Sequence, residues 1–211
     1  MPIQILLADD HELVREGFRV LLERYGFQVV GEASDGFEAV RLAAKLKPDV
    51  ALLDVSMPLL NGLDATREIT RVSPKTRILI LTMYTEDHYV LEAIRAGAAG
   101  FILKTRAGKD LTEAVQRVSQ GSLYLGPETS EAVVRAYRSN LQGDGFAHLS
   151  SRERQVLQLV AEGKTTKEVA SVLGISTKTA SAHRERLMKK LDVHETAGLV
   201  RYAIRMGLIA A

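Results

Sequence analysis

The chain has 211 residues, 26% of them charged, with a formal net charge of +2, which is enough length for one or two domains with buried cores. It contains no cysteine, which excludes disulfides, thiolate metal sites and thiol nucleophiles and suits a reducing compartment. No run approaches the roughly 20 apolar residues of a membrane span, and Met1-Pro2-Ile3-Gln4 opens no basic leader, so a cytoplasmic protein without a membrane partner is expected.

Ile3 to Leu7 is an apolar run of strand length that ends in Ala8-Asp9-Asp10, after which Val14, Phe18, Leu21 and Leu22 mark an amphipathic helix. Phe27–Ala33 reads as a second strand, Phe37–Leu46 as a second helix and Lys47-Pro48 as a turn. The third strand, Val50-Ala51-Leu52-Leu53, closes on Asp54 and is followed by Val55-Ser56-Met57-Pro58. Asn61-Gly62 opens a helix through Leu63, Thr66 and Ile69 that Ser73-Pro74 ends, and Ile78–Leu81 forms a strand closing on Thr82. A helix from Asp87 to Arg95, a strand Phe101–Leu103 closing on Lys104, and a helix from about Leu111 to Ser119 complete the pattern.

Five apolar strands alternating with five helices predict an α/β fold, a doubly wound five-stranded parallel sheet whose strand carboxyl ends lie along one edge. Asp9, Asp10, Asp54, Thr82 and Lys104 all stand at such ends. Adjacent carboxylates at the first strand–helix turn argue against a Gly-rich phosphate cradle there. Each acid read singly is an ordinary helix cap; read together, the carboxylates repel unless a hard cation such as Mg²⁺ lies among them. With a metal and Lys104 neutralising charge, Asp54 is placed to attack phosphorus and become an acyl phosphate.

Asp9-Asp10, Asp54, Met57-Pro58 with Gly62, Thr82, and Phe101 with Lys104 resemble the signature of a two-component receiver domain, with a flavodoxin-like fold, over residues 1–121. The resemblance implies a histidine kinase or small phosphodonor and Asp54 as phosphoacceptor. It implies a Mg²⁺ site from Asp9, Asp10, Asp54 and the backbone carbonyl of Ser56, with Lys104 on the phosphate and Thr82 and Phe101 as switch residues. The Thr82 hydroxyl would move to the phosphoryl oxygen and the Phe101 ring would turn inward. Many receivers carry Pro after the Lys, whereas Thr105 follows here.

Residues 122–147 read as a linker. Leu125-Gly126-Pro127-Glu128 starts like a helix, with Ala132, Val133, Ala136 and Tyr137 on one face, and 139–145 is Gly-containing and poor in apolar residues. Residues 1–121 carry 15 Lys and Arg against 17 Asp and Glu, whereas residues 149–211 carry 11 against 6, so the base-rich part is small and C-terminal.

In that part Ser150 and Glu153 form a capping box before a helix containing Val156, Leu157, Leu159 and Val160. Thr166 is expected to cap a short helix, Gly174 to turn the chain, and Ser176 to cap a longer helix through Leu191. This is a small all-α helix-turn-helix unit. Its long helix offers Lys178, Thr179, Ser181, Ala182, His183, Arg184, Arg186, Lys189 and Lys190 to a DNA major groove.

From Leu149-Ser150-Ser151-Arg152-Glu153 through Leu173-Gly174-Ile175-Ser176 to His183-Arg184, the sequence is similar to the LuxR-type DNA-binding domain over residues 148–211. Receiver plus LuxR-type domain resembles the NarL/FixJ family of response regulators. The family implies a phosphorylation-dependent transcription regulator that is not an enzyme, binds double-stranded DNA, and forms a homodimer when phosphorylated or DNA-bound. The helix from about Thr196 to Met206 would pair two domains. Two other readings are a metal-dependent phosphohydrolase with Asp54 as nucleophile, which would want an acid where Ser56 stands, and a regulator acting through protein contacts alone.

Overall fold

The computed structural model describes residues 1–83, 87–126, 129–131, 133–134, 149–206 and 208–209. They form two compact units, an N-terminal α/β unit and a C-terminal helical one.

The first unit alternates strand and helix as the apolar periodicity requires: β1 (Gln4–Ala8), α1 (Glu12–Arg24), β2 (Gln28–Ala33), α2 (Gly36–Leu46), β3 (Val50–Asp54), α3 (Gly62–Val72), β4 (Arg77–Thr82), α4 (Asp87–Ala96), β5 (Gly100–Leu103), α5 (Ala107–Ser119) and β6 (Tyr124–Leu125). All pairings are parallel, in the order β2-β1-β3-β4-β5-β6. Every residue of β3 is buried, as are the last four of β1 and the last five of β4. Central parallel strands are covered on both faces, so their sequences run continuously apolar instead of alternating.

The sheet has six strands instead of the expected five. Tyr124 and Leu125 pair with Gly100 and Phe101, so the unit continues past residue 121. A two-residue strand has no periodicity to read. Helix α5 begins at Ala107, four residues earlier than expected, because a 3₁₀ turn over Lys104–Arg106 runs directly into it. Thr105 thus occupies a helical turn. Residues 129–131 and 133–134 are helical, in keeping with the expected linker helix. The expected linker over 139–145 lies outside the described residues, as do Ala132, Ala136 and Tyr137.

The reversal of strand order falls between β1 and β3, since the chain winds one way from β1 to β2 and the other way from β3 onward. The diverging connections leave a crevice beyond the carboxyl ends of these two strands. Below it, Ile5, Leu7, Val50, Leu52, Leu79 and Leu81 form a core with Leu111, Val115 and Val118 of α5.

The second unit comprises α6 (Ser151–Ala161), α7 (Thr166–Val172), α8 (Thr177–Leu191) and α9 (Thr196–Arg205), packed around Val156, Leu157, Leu159, Val169, Leu187, Leu199 and Ala203. Ser150 and Glu153 form the expected capping box, and Ser176 accepts from the Thr179 N–H at 3.1 Å. The cap of α7 is Thr165, not Thr166: Thr165 Oγ1 and Glu168 close a second capping box, which makes Thr166 the first helical residue. With Thr at both positions, the Glu three residues after Thr165 decides between them.

Candidate functional site

Strand ends β1 and β3 place Asp9 and Asp54 in the crevice, where they are 1% and 4% exposed. Lys104, at the end of β5, reaches both: its Nζ lies 2.6 Å from Asp9 Oδ2 and 3.0 Å from Asp54 Oδ1. Burial pushes the Asp54 carboxyl above its ordinary value; Lys104 opposes the shift, and Asp9 and Asp10 add to it. Burial alone would lower the Lys104 pKa, but Asp54 and Asp9 hold the ammonium above its ordinary value. One cation therefore serves two buried carboxylates, and the pocket remains rich in negative charge.

Asp9 and Asp10 do not cap α1; the N-cap is His11, without a side-chain cap bond. Asp9 Oδ1 instead accepts from the His11 N–H at 3.0 Å, fixing the carboxylate in a local turn. Asp10, more exposed, meets His11 Nδ1 at 2.7 Å. Ligand atoms of Asp9, Asp10 and His11 lie within 4.8 Å of one another. All-oxygen donors from Asp9, Asp10 and Asp54 in a pocket with surplus negative charge fit a hard dication such as Mg²⁺.

Beyond Asp54 the chain turns tightly. The Leu60 N–H donates to the Pro58 carbonyl at 2.7 Å, with Leu59 between them at φ 67°, a three-residue turn of the rarer, strained kind. Ser56 is half-buried and Met57 buried. The Gly62 N–H donates to the Val55 carbonyl at 2.9 Å, and a Cβ at Gly62 would run into the Asp54 carbonyl oxygen. Glycine is required here by close approach of backbone to backbone, and Asn61 anchors the same turn by accepting from the Asp64 N–H at 2.9 Å.

Thr82 is fully buried at the end of β4, opposite Leu103 and so next to the strand end that carries Lys104. Phe101 is buried, 1% exposed. It borders a cavity of about 10 Å³ with Arg106, Asp110, Tyr124 and Thr129, room for about one water molecule. Asp9, Asp54 and Lys104 are thus in direct contact, with Asp10 and Thr82 on neighbouring strand ends.

Sequence reasoning missed Arg15. Its Nη1 donates to the Asp9 backbone carbonyl at 2.7 Å. No side-chain pattern announces a partner that is a main-chain oxygen.

In the helical unit, Lys178, Thr179, Arg186 and Lys189 are exposed on α8, and Ser181, Ala182, His183 and Arg184 are half-buried. Lys190 and Arg184, both predicted DNA contacts, are tied to other helices of the unit. Lys190 Nζ lies 3.0 Å from Glu153 Oε2, joining α8 to α6, and Arg184 Nη2 donates to Thr196 Oγ1 at 2.6 Å, joining α8 to α9. Burial would raise the Glu153 pKa, but the Ser150 N–H, Lys190 and the Ser150 hydroxyl lower it overall.

Residues 5–116 match the response regulator receiver domain, and residues 147–203 match the luxR family of bacterial regulatory proteins. The oxygen regulatory protein NreC of Staphylococcus carnosus is 38% identical over 98% of this chain and 99% of its own. The response regulator UvrY of Escherichia coli is 37% identical over 99% and 97%. The structure of RcsB from Salmonella enterica serovar Typhimurium, bound to promoter rprA in the presence of phosphomimetic BeF₃⁻, matches with a TM-score of 0.65 and 30% identity over 96% of this chain and 98% of that one.

Proposed function

Because the chain belongs to the NarL/FixJ family of two-component response regulators, DNA-binding transcription regulators that join a receiver to a LuxR-type domain and are not enzymes, we propose that Asp54 is its phosphoacceptor and that phosphorylation there controls DNA binding. The observation that carries this reading is the shared ammonium: Lys104 sits within 3.0 Å of both Asp9 and Asp54 at the crevice between β1 and β3. No second acid stands at Ser56, and the related proteins are regulators, so the phosphohydrolase reading is set aside.

An ionised Asp54 oxygen attacks the phosphorus of a kinase phosphohistidine or a small donor; the new P–O bond forms as the bond to the donor breaks, and the donor keeps its electron pair. Lys104 holds the carboxylate in its charged, nucleophilic form and balances the added phosphoryl charge. Asp9, Asp10, Asp54 and the Ser56 carbonyl would hold Mg²⁺, which would neutralise negative charge in the pocket. Thr82 and Phe101 respond as switch residues. The receiver runs from the N-terminal strand through β6, residues 126–147 connect, and 148–211 bind DNA.

Lys178, Thr179, Ser181, Ala182, His183, Arg184, Arg186, Lys189 and Lys190 of α8 face the major groove, and two copies bind two half-sites as a homodimer in the cytoplasm. RcsB bound to a promoter with a phosphomimetic supports the link between the two domains. Among the described residues no helix is long and apolar enough to cross a membrane. The direct test is labelling by radioactive acetyl phosphate: the parent incorporates label with Mg²⁺, and Asp54→Asn does not. Label retained at full stoichiometry in that variant moves the acceptor elsewhere.

A further inference from the structure

The main chain of Asp9 is held from two sides. Its N–H donates to the Ala33 carbonyl at the end of β2, at 3.2 Å. Its carbonyl accepts from Arg15 Nη1 at 2.7 Å. Arg15 projects from α1, only 16% exposed, and its Nε lies 3.6 Å from Glu32 Oε2, one residue before Ala33 on β2. Glu32 Oε1 in turn meets Arg19 Nε at 3.3 Å, one turn further along α1. The guanidinium therefore joins three pieces of chain: the helix, the turn carrying Asp9 and Asp10, and the β2 edge.

We infer that Arg15 is a positioning residue for the metal-binding carboxylates: by clamping the Asp9 carbonyl against β2, it holds the Ala8–Asp10 turn in the conformation that presents Asp9 and Asp10 to Mg²⁺. The inference rests on the reading of this pocket as a Mg²⁺-dependent phosphoacceptor site. A planar fork suits the task, because one nitrogen donates to the carbonyl while another faces the carboxylate of Glu32. Partners one shell out from a metal ligand set its orientation, and their loss commonly costs about tenfold or more in metal affinity.

A simple charge effect has the opposite sign. A guanidinium near the pocket repels a dication, so if Arg15 acted only through its charge, its removal would tighten metal binding; if it positions the turn, removal weakens binding. Glu32 offsets part of that charge, which favours the positioning effect.

The test is isothermal titration of the full-length chain with MgCl₂, alongside initial rates of labelling by acetyl phosphate over a range of Mg²⁺ concentrations. Arg15→Ala is expected to weaken Mg²⁺ binding about tenfold, shifting the Mg²⁺ concentration for half-maximal rate by the same factor while leaving the rate at saturating Mg²⁺ near the parent's. Arg15→Lys, which retains one donor, should recover part of the affinity, and Glu32→Gln should weaken it less than Arg15→Ala. Unchanged or tighter binding in a folded Arg15→Ala chain overturns the inference but leaves the phosphoacceptor reading intact. A parent chain that binds no Mg²⁺ overturns both.

Discussion

Ionising Asp54 runs against the preference of its surroundings. In the folded, metal-free pocket its pKa stands above the ordinary value of an aspartate because burial penalises the charge. Between that value and the raised one the folded chain holds a proton that the unfolded chain has released, so this group's contribution to stability falls as pH rises through the window. Above the window the full cost persists. Asp54→Asn removes it, so in metal-free buffer at pH 7 the variant is expected to melt at a higher temperature than the parent. The gap should close as pH falls below the ordinary carboxylate range, and thermal denaturation across pH measures it. Mg²⁺ reverses the order: at a hundredfold excess over its dissociation constant it stabilises the parent by about 2.7 kcal/mol, and it should do little for Asp54→Asn. At this scale Asp9, Asp54 and Lys104 were legible because each breaks an apolar run with a charge. Arg15 was not, since its partner is a carbonyl that every residue has.

The elements show where local chemistry is decisive. Gly62 is the first residue of α3, and its bare Cα lets that helix start against the Asp54 carbonyl. Gly62→Ala must displace the β3–α3 turn, and a destabilisation of about 1–3 kcal/mol in urea is expected, together with slower labelling at Asp54. In the helical unit Ser150→Ala removes one side of a capping box and should cost about 1 kcal/mol. Long strands and capped helices were readable because burial on both faces and paired Ser–Glu signals leave marks several residues long. Strand β6 was not, since two residues carry no period and only their pairing with Gly100 and Phe101 makes them a strand. The Thr165–Thr166 pair shows the same limit at a boundary: adjacent residues of one type differ only in which has an acid three positions on.

For the whole molecule, the division of charge was legible in the sequence and explains the division of labour. The N-terminal residues are close to neutral and the C-terminal residues base-rich, so binding to DNA should weaken by orders of magnitude between about 50 and 200 mM salt if six or more phosphates are contacted. Within α8 the cations proposed to meet DNA differ in the partners they already have inside the unit. Lys190 is paired with Glu153, so Lys190→Ala should lower DNA affinity less than Lys178→Ala, as fluorescence anisotropy on one duplex would show. Which protein donates the phosphate and which base pairs are read depend on surfaces that meet only in a complex, and no single-chain pattern encodes them. Shifting a two-state protein from mostly inactive to mostly active takes roughly 5.5 kcal/mol of differential stabilisation, so some DNA binding without phosphate is expected.

The most direct measurement is the affinity of the full-length chain for a target duplex, selected from random sequence, with and without acetyl phosphate and Mg²⁺, for the parent and for Asp54→Asn. Phosphodonor is expected to tighten binding by the parent and to leave Asp54→Asn at the unphosphorylated level. Equal tightening of both, or none in a parent that is labelled at Asp54, would contradict that expectation.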